Sequence, residues 1–270
     1  MRINPPVFEL RINPMSFIFC AIGVSFAMSF AWAVRMRTGQ SGWIDAIWSA
    51  ATGLGALAFL APQEGRSLFA GALVALWSLR LGGHIALRTR GAGDDPRYAA
   101  LAAEWGADFP RRLFIFLQIQ AAASLPLIAA VGIAGHAPRP FPDWADGLAL
   151  VVAVSGVLIE GVGDWQLRRF RRQAPPGSLC QTGLWAYTRH PNYFGEFLFW
   201  CAWPLVGFGD WRALAALGAP LLIYWLLDHV SGVPLLEAHM RASRGAAFEE
   251  YAARVPRFFP GKPRQRPNDD

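Results

Sequence analysis

The chain has 270 residues, of which 54% are hydrophobic and 16% are charged, and its formal net charge is +6. A soluble domain has about a quarter of its residues charged, so this composition excludes an ordinary soluble enzyme. All but one of the 25 basic residues are arginine, and no nucleic-acid-binding motif accompanies them, so we expect no nucleic-acid partner.

Apolar runs of membrane-spanning length recur along the chain. They cover residues 15–34, 43–61, 67–89, 112–133, 145–163, 193–209 and 212–230. Because lipid offers no hydrogen-bond partner to the backbone, such runs must be helices. The pattern predicts an all-α, polytopic membrane protein with about seven transmembrane helices. The first run is longer than the apolar core of a cleaved signal peptide, and we expect it to be a span.

The basic residues divide unevenly between the two ends of these runs. With the N-terminus outside, 19 of them fall in inside segments and five in outside segments. Cytoplasmic loops of membrane proteins carry the excess of Lys and Arg. The split predicts a protein of the bacterial inner membrane with its N-terminus outside and its C-terminus in the cytoplasm.

The chain has no polar linker long enough to separate soluble domains. We expect a single integral-membrane domain over residues 1–260, with a cytoplasmic amphipathic helix between Val233 and Tyr251. Residues 261–270 are polar and Pro-rich, which predicts a disordered tail. The three cysteines are scattered and lack metal-ligand spacing, so we expect no metal site and no disulfide.

The N-terminal half contains few ionisable residues within its apolar runs. Arg80, His84 and Arg88 follow one another at helical spacing in the third run, and Asp45 lies in the second. Asp45 beside Arg80 or His84 predicts either a structural ion pair or a proton donor, and both interpretations remain open.

A basic face follows the fifth run. Asp164, Arg168 and Arg171 recur at helical spacing and therefore share one side of a helix. Arginines in this arrangement bind phosphate bidentately, which indicates a phosphate-binding cradle. A stop-transfer cluster beside anionic lipid headgroups explains the same arginines equally well.

The segment before the sixth run is the densest in functional groups. It contains Tyr187, Arg189, His190, Asn192, Tyr193 and Glu196. Pro191 is suited to begin a helix, and Asn192 and Glu196, four residues apart, then face the same way. An interfacial aromatic belt explains the tyrosines and Arg189 but not two polar groups one turn into a span. Farther on, Glu237, Tyr251 and Arg254 are candidates to close a pocket from the cytoplasmic side.

Several of these segments together resemble a known family. They are Trp-Ser-Leu-Arg-Leu-Gly-Gly-His from residue 77, Asp-Asp-Pro-Arg-Tyr from residue 94, Gly-Leu-Trp-x-Tyr-x-Arg-His-Pro-Asn-Tyr-Phe-Gly-Glu from residue 183, Ser-Gly-x-Pro-Leu-Leu-Glu from residue 231 and Tyr-x-x-Arg-Val-Pro-x-Phe-x-Pro from residue 251. The chain resembles the bacterial DUF1295 membrane proteins, relatives of the steroid 5α-reductases, over roughly residues 40 to 260.

The resemblance implies a cofactor and a set of residues that bind it. The C-terminal half, roughly residues 145–260, would hold NADPH at the cytoplasmic side. Asp164, Arg168 and Arg171 match the group that binds the adenosine and phosphate end, and Asn192 and Glu196 match the group near the nicotinamide. The steroid reductases' substrate-activating Glu and Tyr have no clear counterparts here, so the substrate stays open.

Isoprenylcysteine and phospholipid methyltransferases share part of these motifs. They also carry Arg-His-Pro-x-Tyr-x-Gly, and they bind S-adenosylmethionine. Asn192, Glu196 and the Asp164 face favour the reductase, whereas a paired Glu-Glu at Glu237 would favour the methyltransferase.

We therefore expect an NADPH-dependent reductase of the C=C bond of a lipophilic, steroid- or isoprenoid-like enone. The proton-donor candidates are Asp45, His84 and Tyr98, and Glu196 is a further catalytic candidate. The expected partners are this small molecule and membrane lipid, with no protein partner evident. The predicted cofactor-binding residues are Asp164, Arg168, Arg171, Tyr187, Arg189, His190, Asn192, Tyr193, Glu196, Glu237, Tyr251 and Arg254.

Overall fold

The computed structural model describes residues 14–60, 64–90, 94–175 and 177–264. Within these ranges the regular secondary structure is helical and includes no strand, which confirms the all-α prediction. The helices are α1 (Pro14–Thr38), α2 (Gly42–Phe59), α3 (Arg66–Thr89), α4 (Pro96–Trp105), α5 (Phe109–Gly135), α6 (Trp144–Gln173), α7 (Pro191–Trp200), α8 (Trp203–Val206), α9 (Gly218–Trp225), α10 (Val233–Arg244) and α11 (Ala246–Arg254).

Five helical segments of the described chain are long and apolar enough to cross a membrane. They are Met15–Thr38, Arg66–Thr89, Pro96–Gly135, Trp144–Gln173 and Leu214–Arg244. These segments make the chain a multi-pass membrane protein. The predicted count of seven is not confirmed, because α2 falls outside the five and the run predicted over 193–209 is divided between α7 and α8.

Helix-breaking residues explain why the sixth predicted run is not one helix. A turn separates the end of α7 at Trp200 from α8, and Pro204 occupies the second position of α8. Proline is tolerated there because the first turn of a helix leaves its N–H groups unpaired. Gly209 then adopts a φ of +84°, a left-handed conformation that favours glycine. Hydropathy alone does not detect these interruptions.

The chain divides into two compact units, and the first contains Met1–Asp94, Ala107–Ala149 and Trp203–Ala219. In it α1, α2, α3 and α5 pack against one another. Two of its internal polar groups are bonded across helices: the Trp48 indole N–H donates to Ser124 Oγ at 2.8 Å. Such pairs satisfy polar groups where no water is available.

A buried arginine fixes one end of this first unit. Arg66, which begins α3, donates from Nε to Asp146 at 2.9 Å and from Nη1 to the Ala137 carbonyl at 2.7 Å. A further bond joins Nη2 to the Pro140 carbonyl at 2.6 Å. Because the guanidinium has five N–H donors, it can hold the segment between α5 and α6 at several points.

The second unit contains Asp95–Gly106, Leu150–Ala202 and Pro220–Asp270. In it α6 and α7 meet backbone to backbone: a Cβ on Gly195 would lie 2.6 Å from the Glu160 nitrogen and 2.7 Å from the Gly156 oxygen. Only glycine therefore permits this crossing. α10 packs against α4 and α11.

The C-terminal region predicted as one amphipathic helix forms two, α10 and α11, separated at Gly245 with a φ of +52°. After α11 the chain runs along the segment that precedes α7. The Gly261 N–H donates to the Tyr187 carbonyl, and the Arg264 N–H donates to the Arg254 carbonyl, both at 2.9 Å. These are the first residues of the predicted disordered tail, and residues 265–270 lie outside the described ranges.

Candidate functional site

The predicted site residues are distributed over both units. Asp45 on α2 and His84 on α3 belong to the first unit, and each is half-buried. Tyr98 on α4, which is buried, belongs to the second unit. The second unit also contains all the predicted cofactor-binding residues and Glu196.

The structure joins the two motifs that flank the α6–α7 crossing. The Asn192 side-chain amide, at the second position of α7, donates to Asp164 Oδ1 on α6 at 3.2 Å. Gly163 lies against the start of α7, since a Cβ there would be 3.4 Å from the Asn192 nitrogen. Arg168 and Arg171 follow on the next turns of α6 and are exposed. Groups 28 residues apart in sequence thus form one polar surface.

A buried carboxylate organises the neighbouring cluster, which we call the Glu237 cluster: Arg189, His190, Glu237 and Arg241. Glu237 Oε1 accepts hydrogen bonds from Arg189 Nε at 2.7 Å and from His190 Nε2 at 3.1 Å. Its Oε2 accepts one from Arg241 Nη2 at 3.2 Å. Only 3% of Glu237 is exposed, so these three donors replace its hydration.

Arg189 also binds the chain that follows α11. Its Nη1 donates to the carbonyls of Ala252 at 2.9 Å and Val255 at 2.7 Å, and its backbone N–H donates to the Pro256 carbonyl at 2.9 Å. Arginine presents its donors in a rigid fork, so one side chain fixes several acceptors at once. Arg189 therefore orders the C-terminal segment around the Glu237 cluster.

His190 has one ring nitrogen without a partner. Burial lowers the pKa of His190 below its usual value, and the hydrogen bond to Glu237 offsets part of that effect. Since the Glu237 carboxylate pairs with Arg189 and only accepts, the neutral imidazole carries its hydrogen on Nε2. Nδ1 is then a buried acceptor that no described residue satisfies. The ring stacks on Tyr193, with the ring centroids 5.6 Å apart.

Two other predicted residues form side-chain hydrogen bonds within the second unit. The Tyr251 hydroxyl donates to the Trp185 carbonyl at 2.6 Å, and burial raises the pKa of Tyr251. Glu196, which is buried, accepts from the Trp200 indole at 2.8 Å. The side chain of Tyr187 is half-exposed.

A basic pocket of about 240 Å³ lies beside the Glu237 cluster, between the end of α11 and the C-terminal segment. Its basic lining residues are Arg189, Arg254, Arg257, Lys262 and Arg264. The Arg254 guanidinium donates from Nη2 to Gln181 Oε1 at 3.0 Å.

Sequence reasoning gave no role to two interactions that shape this region. Arg257 Nε donates to Asp228 Oδ1 at 2.8 Å, and the Thr188 hydroxyl donates to the Phe258 carbonyl at 2.8 Å. Asp228 is an acid at the end of an apolar run, which was a usable signal. No feature of the sequence indicated a role for Lys262, which lies in the predicted disordered tail.

Comparisons with known proteins match this chain to a family over most of its length and to a relative over about half of it. The sequence model of a family described as "Protein of unknown function (DUF1295)" matches residues 31–255. Over 137 residues the chain is 29% identical to the nickel-cobalt-cadmium resistance protein NccN of Alcaligenes xylosoxydans xylosoxydans. That match covers 51% of this chain and 60% of the relative, less than two thirds of its length. No solved structure matches. Among the described residues no group of three or more His, Cys, Asp or Glu side chains could hold a metal ion.

Proposed function

The chain belongs to the DUF1295 family, and from the geometry of its second unit we propose that it is a membrane-embedded NADPH-dependent reductase. Its substrate in this proposal is the C=C bond of a lipophilic enone, steroid- or isoprenoid-like. We place it in the bacterial inner membrane with the N-terminus outside and the C-terminus in the cytoplasm, from the distribution of its basic residues.

The hydrogen bond between Asn192 and Asp164 carries this proposal. These two residues belong to the motifs that favour a reductase over a methyltransferase, and they are in direct contact at 3.2 Å. The exposed Arg168 and Arg171 continue the same helix toward solvent. A dinucleotide needs both parts: a polar group near its nicotinamide, here Asn192, and an acid with guanidinium groups for its adenosine and phosphate end.

His190 supplies a test of fit that is independent of the motifs. Its buried Nδ1 lone pair lacks a donor among the described residues, and an unsatisfied buried acceptor costs free energy. The carboxamide N–H of a nicotinamide is a donor of the required kind. Tyr193, stacked on His190, adds an aromatic surface for a flat ring.

When bound, NADPH would supply a hydride to one carbon of the substrate double bond. The other carbon then needs a proton, and the enone oxygen needs a donor that stabilises its developing charge. Asp45, His84 and Tyr98 are the candidate donors. Tyr98 shares a compact unit with Asn192.

A methyltransferase is the second candidate function. Arg189 and His190 belong to the motif that both classes share, and Glu237 binds both of them, so the Glu237 cluster supports either. The cofactors differ in charge: NADPH carries phosphates, whereas S-adenosylmethionine carries a cationic sulfonium. An exposed double-arginine face suits the anionic cofactor better.

Isotope transfer in membranes from expressing cells separates the two candidates. We expect deuterium from 4-deuterated NADPH to appear in a reduced steroid or polyprenyl enone. Asn192→Leu should lower this transfer by roughly tenfold or more, because a hydrogen bond to a charged partner is lost. Gln173→Leu, an exposed amide at the end of α6, is the matched control and should leave it unchanged. Transfer of a labelled methyl group from S-adenosylmethionine, without deuterium transfer, would establish the methyltransferase instead.

A further inference from the structure

The basic pocket beside the Glu237 cluster has an unusual charge balance. Five of its lining residues are basic, and none of the described lining residues is acidic. Two of the cations are neutralised from outside the pocket: Arg189 pairs with Glu237 and Arg257 pairs with Asp228. The remaining positive charge therefore resides on Arg254, Lys262 and Arg264.

Two of these cations have no acidic partner within the described residues. Lys262 and Arg264 lie in the segment after α11 and form no ion pair among the described residues, and both are exposed. Arg254 has a distant acidic neighbour: its Nη2 lies 3.9 Å from Glu250 Oε1, and the Glu250 side chain is largely exposed. Like charges gathered around a cavity raise the local concentration of anions.

Arg254 adds a more specific observation. Its Nε atom is buried and has no hydrogen-bond partner among the described residues, although its Nη2 is bound to Gln181. A buried N–H without an acceptor costs free energy, and the cost is larger when the N–H belongs to a charged group than when it belongs to a neutral one. An oxygen acceptor inside the pocket would remove that cost.

Backbone hydrogen bonds hold both sides of the pocket. The N–H groups of Arg189, Gly261 and Arg264 donate to carbonyls at 2.9 Å each, and these bonds fix both sides of the C-terminal segment. A preformed site loses little conformational entropy on binding. The volume of about 240 Å³ is below the roughly 300–1,000 Å³ of pockets for whole drug-sized ligands. The pocket therefore fits the charged end of a larger molecule.

We propose that this pocket binds a phosphate monoester, with Arg254, Lys262 and Arg264 as its ligands. A doubly charged phosphate matches the two unpaired cations, and its oxygens accept from the Arg254 fork. Either the 2′-phosphate of NADPH or the phosphate of a phosphatidic acid headgroup presents this chemistry. The first source rests on the proposed function, and the second does not.

The test compares two double variants that each remove two cations. Lys262→Gln with Arg264→Gln changes the pocket, whereas Arg111→Gln with Arg112→Gln removes adjacent exposed charges from α5 and serves as the control. For both purified full-length proteins, fluorescence titration measures NADPH and NADH affinity, and native mass spectrometry measures phosphatidic acid adducts. Arg254→Lys, which keeps the charge but removes Nε, is measured in the same way.

We expect the pocket variant to lose about tenfold or more in affinity for one phosphate monoester, with Arg254→Lys in the same direction. Loss confined to NADPH, bringing it to the NADH affinity, identifies the cofactor as the source. Loss confined to phosphatidic acid identifies the lipid. If the pocket and control variants bind NADPH and phosphatidic acid equally well, the proposal is wrong. If the unaltered protein does not bind NADPH, the proposed function is wrong. The phosphatidic acid measurement alone then decides whether the pocket binds a phosphate monoester.

Discussion

Glu237 is the residue on which the second unit depends most directly. It is buried and accepts from Arg189, His190 and Arg241, and Arg189 in turn holds the carbonyls of the C-terminal segment. A buried carboxylate depends on its donors, because the Arg189 charge and the hydrogen bonds offset its desolvation.

Glu237→Gln should therefore be strongly destabilising. It leaves the buried Arg189 guanidinium without a counter-charge, and breaking a buried ion pair costs about 3–5 kcal/mol. The free energy of unfolding, measured by denaturant titration in detergent, checks this. Glu249→Gln, an exposed partner of the same Arg241, is the control and should cost less than about 1 kcal/mol. Equal losses in the two variants would contradict the role given to Glu237.

The buried imidazole of His190 predicts a dependence of stability on pH. Burial lowers the pKa of His190 in the folded state below its usual 6.5, so the unfolded state binds a proton more readily. This contribution to stability is complete above about pH 6.5 and is lost as pH falls toward the folded pKa. The negative charge of Glu237 raises the pKa of His190 and so opposes the effect of burial. The positive charges of Arg189 and Arg257 lower that pKa further.

The measurement is the free energy of unfolding at about pH 7.5 and about pH 5.5. The unaltered protein should lose stability over this interval. His190→Gln, which keeps a donor for Glu237 but does not titrate, should lose less. An identical change in the two proteins would show that His190 is not the titrating group.

Individual residues were partly predictable from sequence. Helical spacing predicted one face with Asp164, Arg168 and Arg171. It predicted a second face with Asn192 and Glu196. The hydrogen bond between Asn192 and Asp164, on different helices, lay beyond any spacing rule. The spacing could not show that Arg189 binds Glu237, 48 residues away, and two backbone carbonyls. Every residue has a backbone carbonyl, so no sequence pattern identifies the carbonyls that Arg189 binds.

At the scale of elements, the crossing of α6 and α7 positions the site. It brings Asp164 beside Asn192, and it depends on Gly156 and Gly195, where the two backbones touch. A Cβ on Gly195 would meet two backbone atoms and the Glu160 Cβ, and none of these three can rotate away.

Gly195→Ala should force the two helices apart. We expect a loss of about 1–3 kcal/mol in the free energy of unfolding, the usual cost of overpacking, and weaker NADPH binding. Gly83→Ala on α3, where no atom lies within 4 Å of the added Cβ, is the matched control. It should be neutral or stabilising by up to about 1 kcal/mol, since alanine favours helix. Retention of both stability and NADPH affinity in Gly195→Ala would contradict the close crossing.

Long regular helices were predicted well because hydropathy reports burial in lipid directly. The predicted runs 15–34, 67–89 and 112–133 lie entirely within α1, α3 and α5. The run over 212–230 falls mostly within the candidate span Leu214–Arg244. That segment changes helix type, because a 3-10 segment, Trp211–Leu217, precedes α9 and a π-helical turn, Leu226–Val230, follows it. A change of helix type depends on local hydrogen bonding, which apolar composition does not encode.

At the scale of the whole molecule, the arginine distribution leads to a prediction about orientation. With 19 basic residues assigned inside and five outside, the C-terminus should lie in the cytoplasm. A C-terminal fluorescent-protein fusion should therefore fluoresce, and a C-terminal alkaline phosphatase fusion should be inactive. The reverse pair of results would invert the orientation.

The assembly of the second unit was only partly predictable. The expected cofactor half, roughly 145–260, covers most of it, but the unit also includes Asp95–Gly106 from the N-terminal half. α4 joins the unit by packing on α10, far along the chain. Such long-range packing leaves no periodic signal in one sequence.

The central claim is that the second unit binds NADPH. The most direct measurement is the thermal stability of the purified protein with NADPH and, separately, with S-adenosylmethionine, because a ligand that binds only the folded state raises the apparent melting temperature. The account predicts a rise with NADPH that Arg171→Ala diminishes, and no rise with S-adenosylmethionine. A rise with S-adenosylmethionine alone would contradict it.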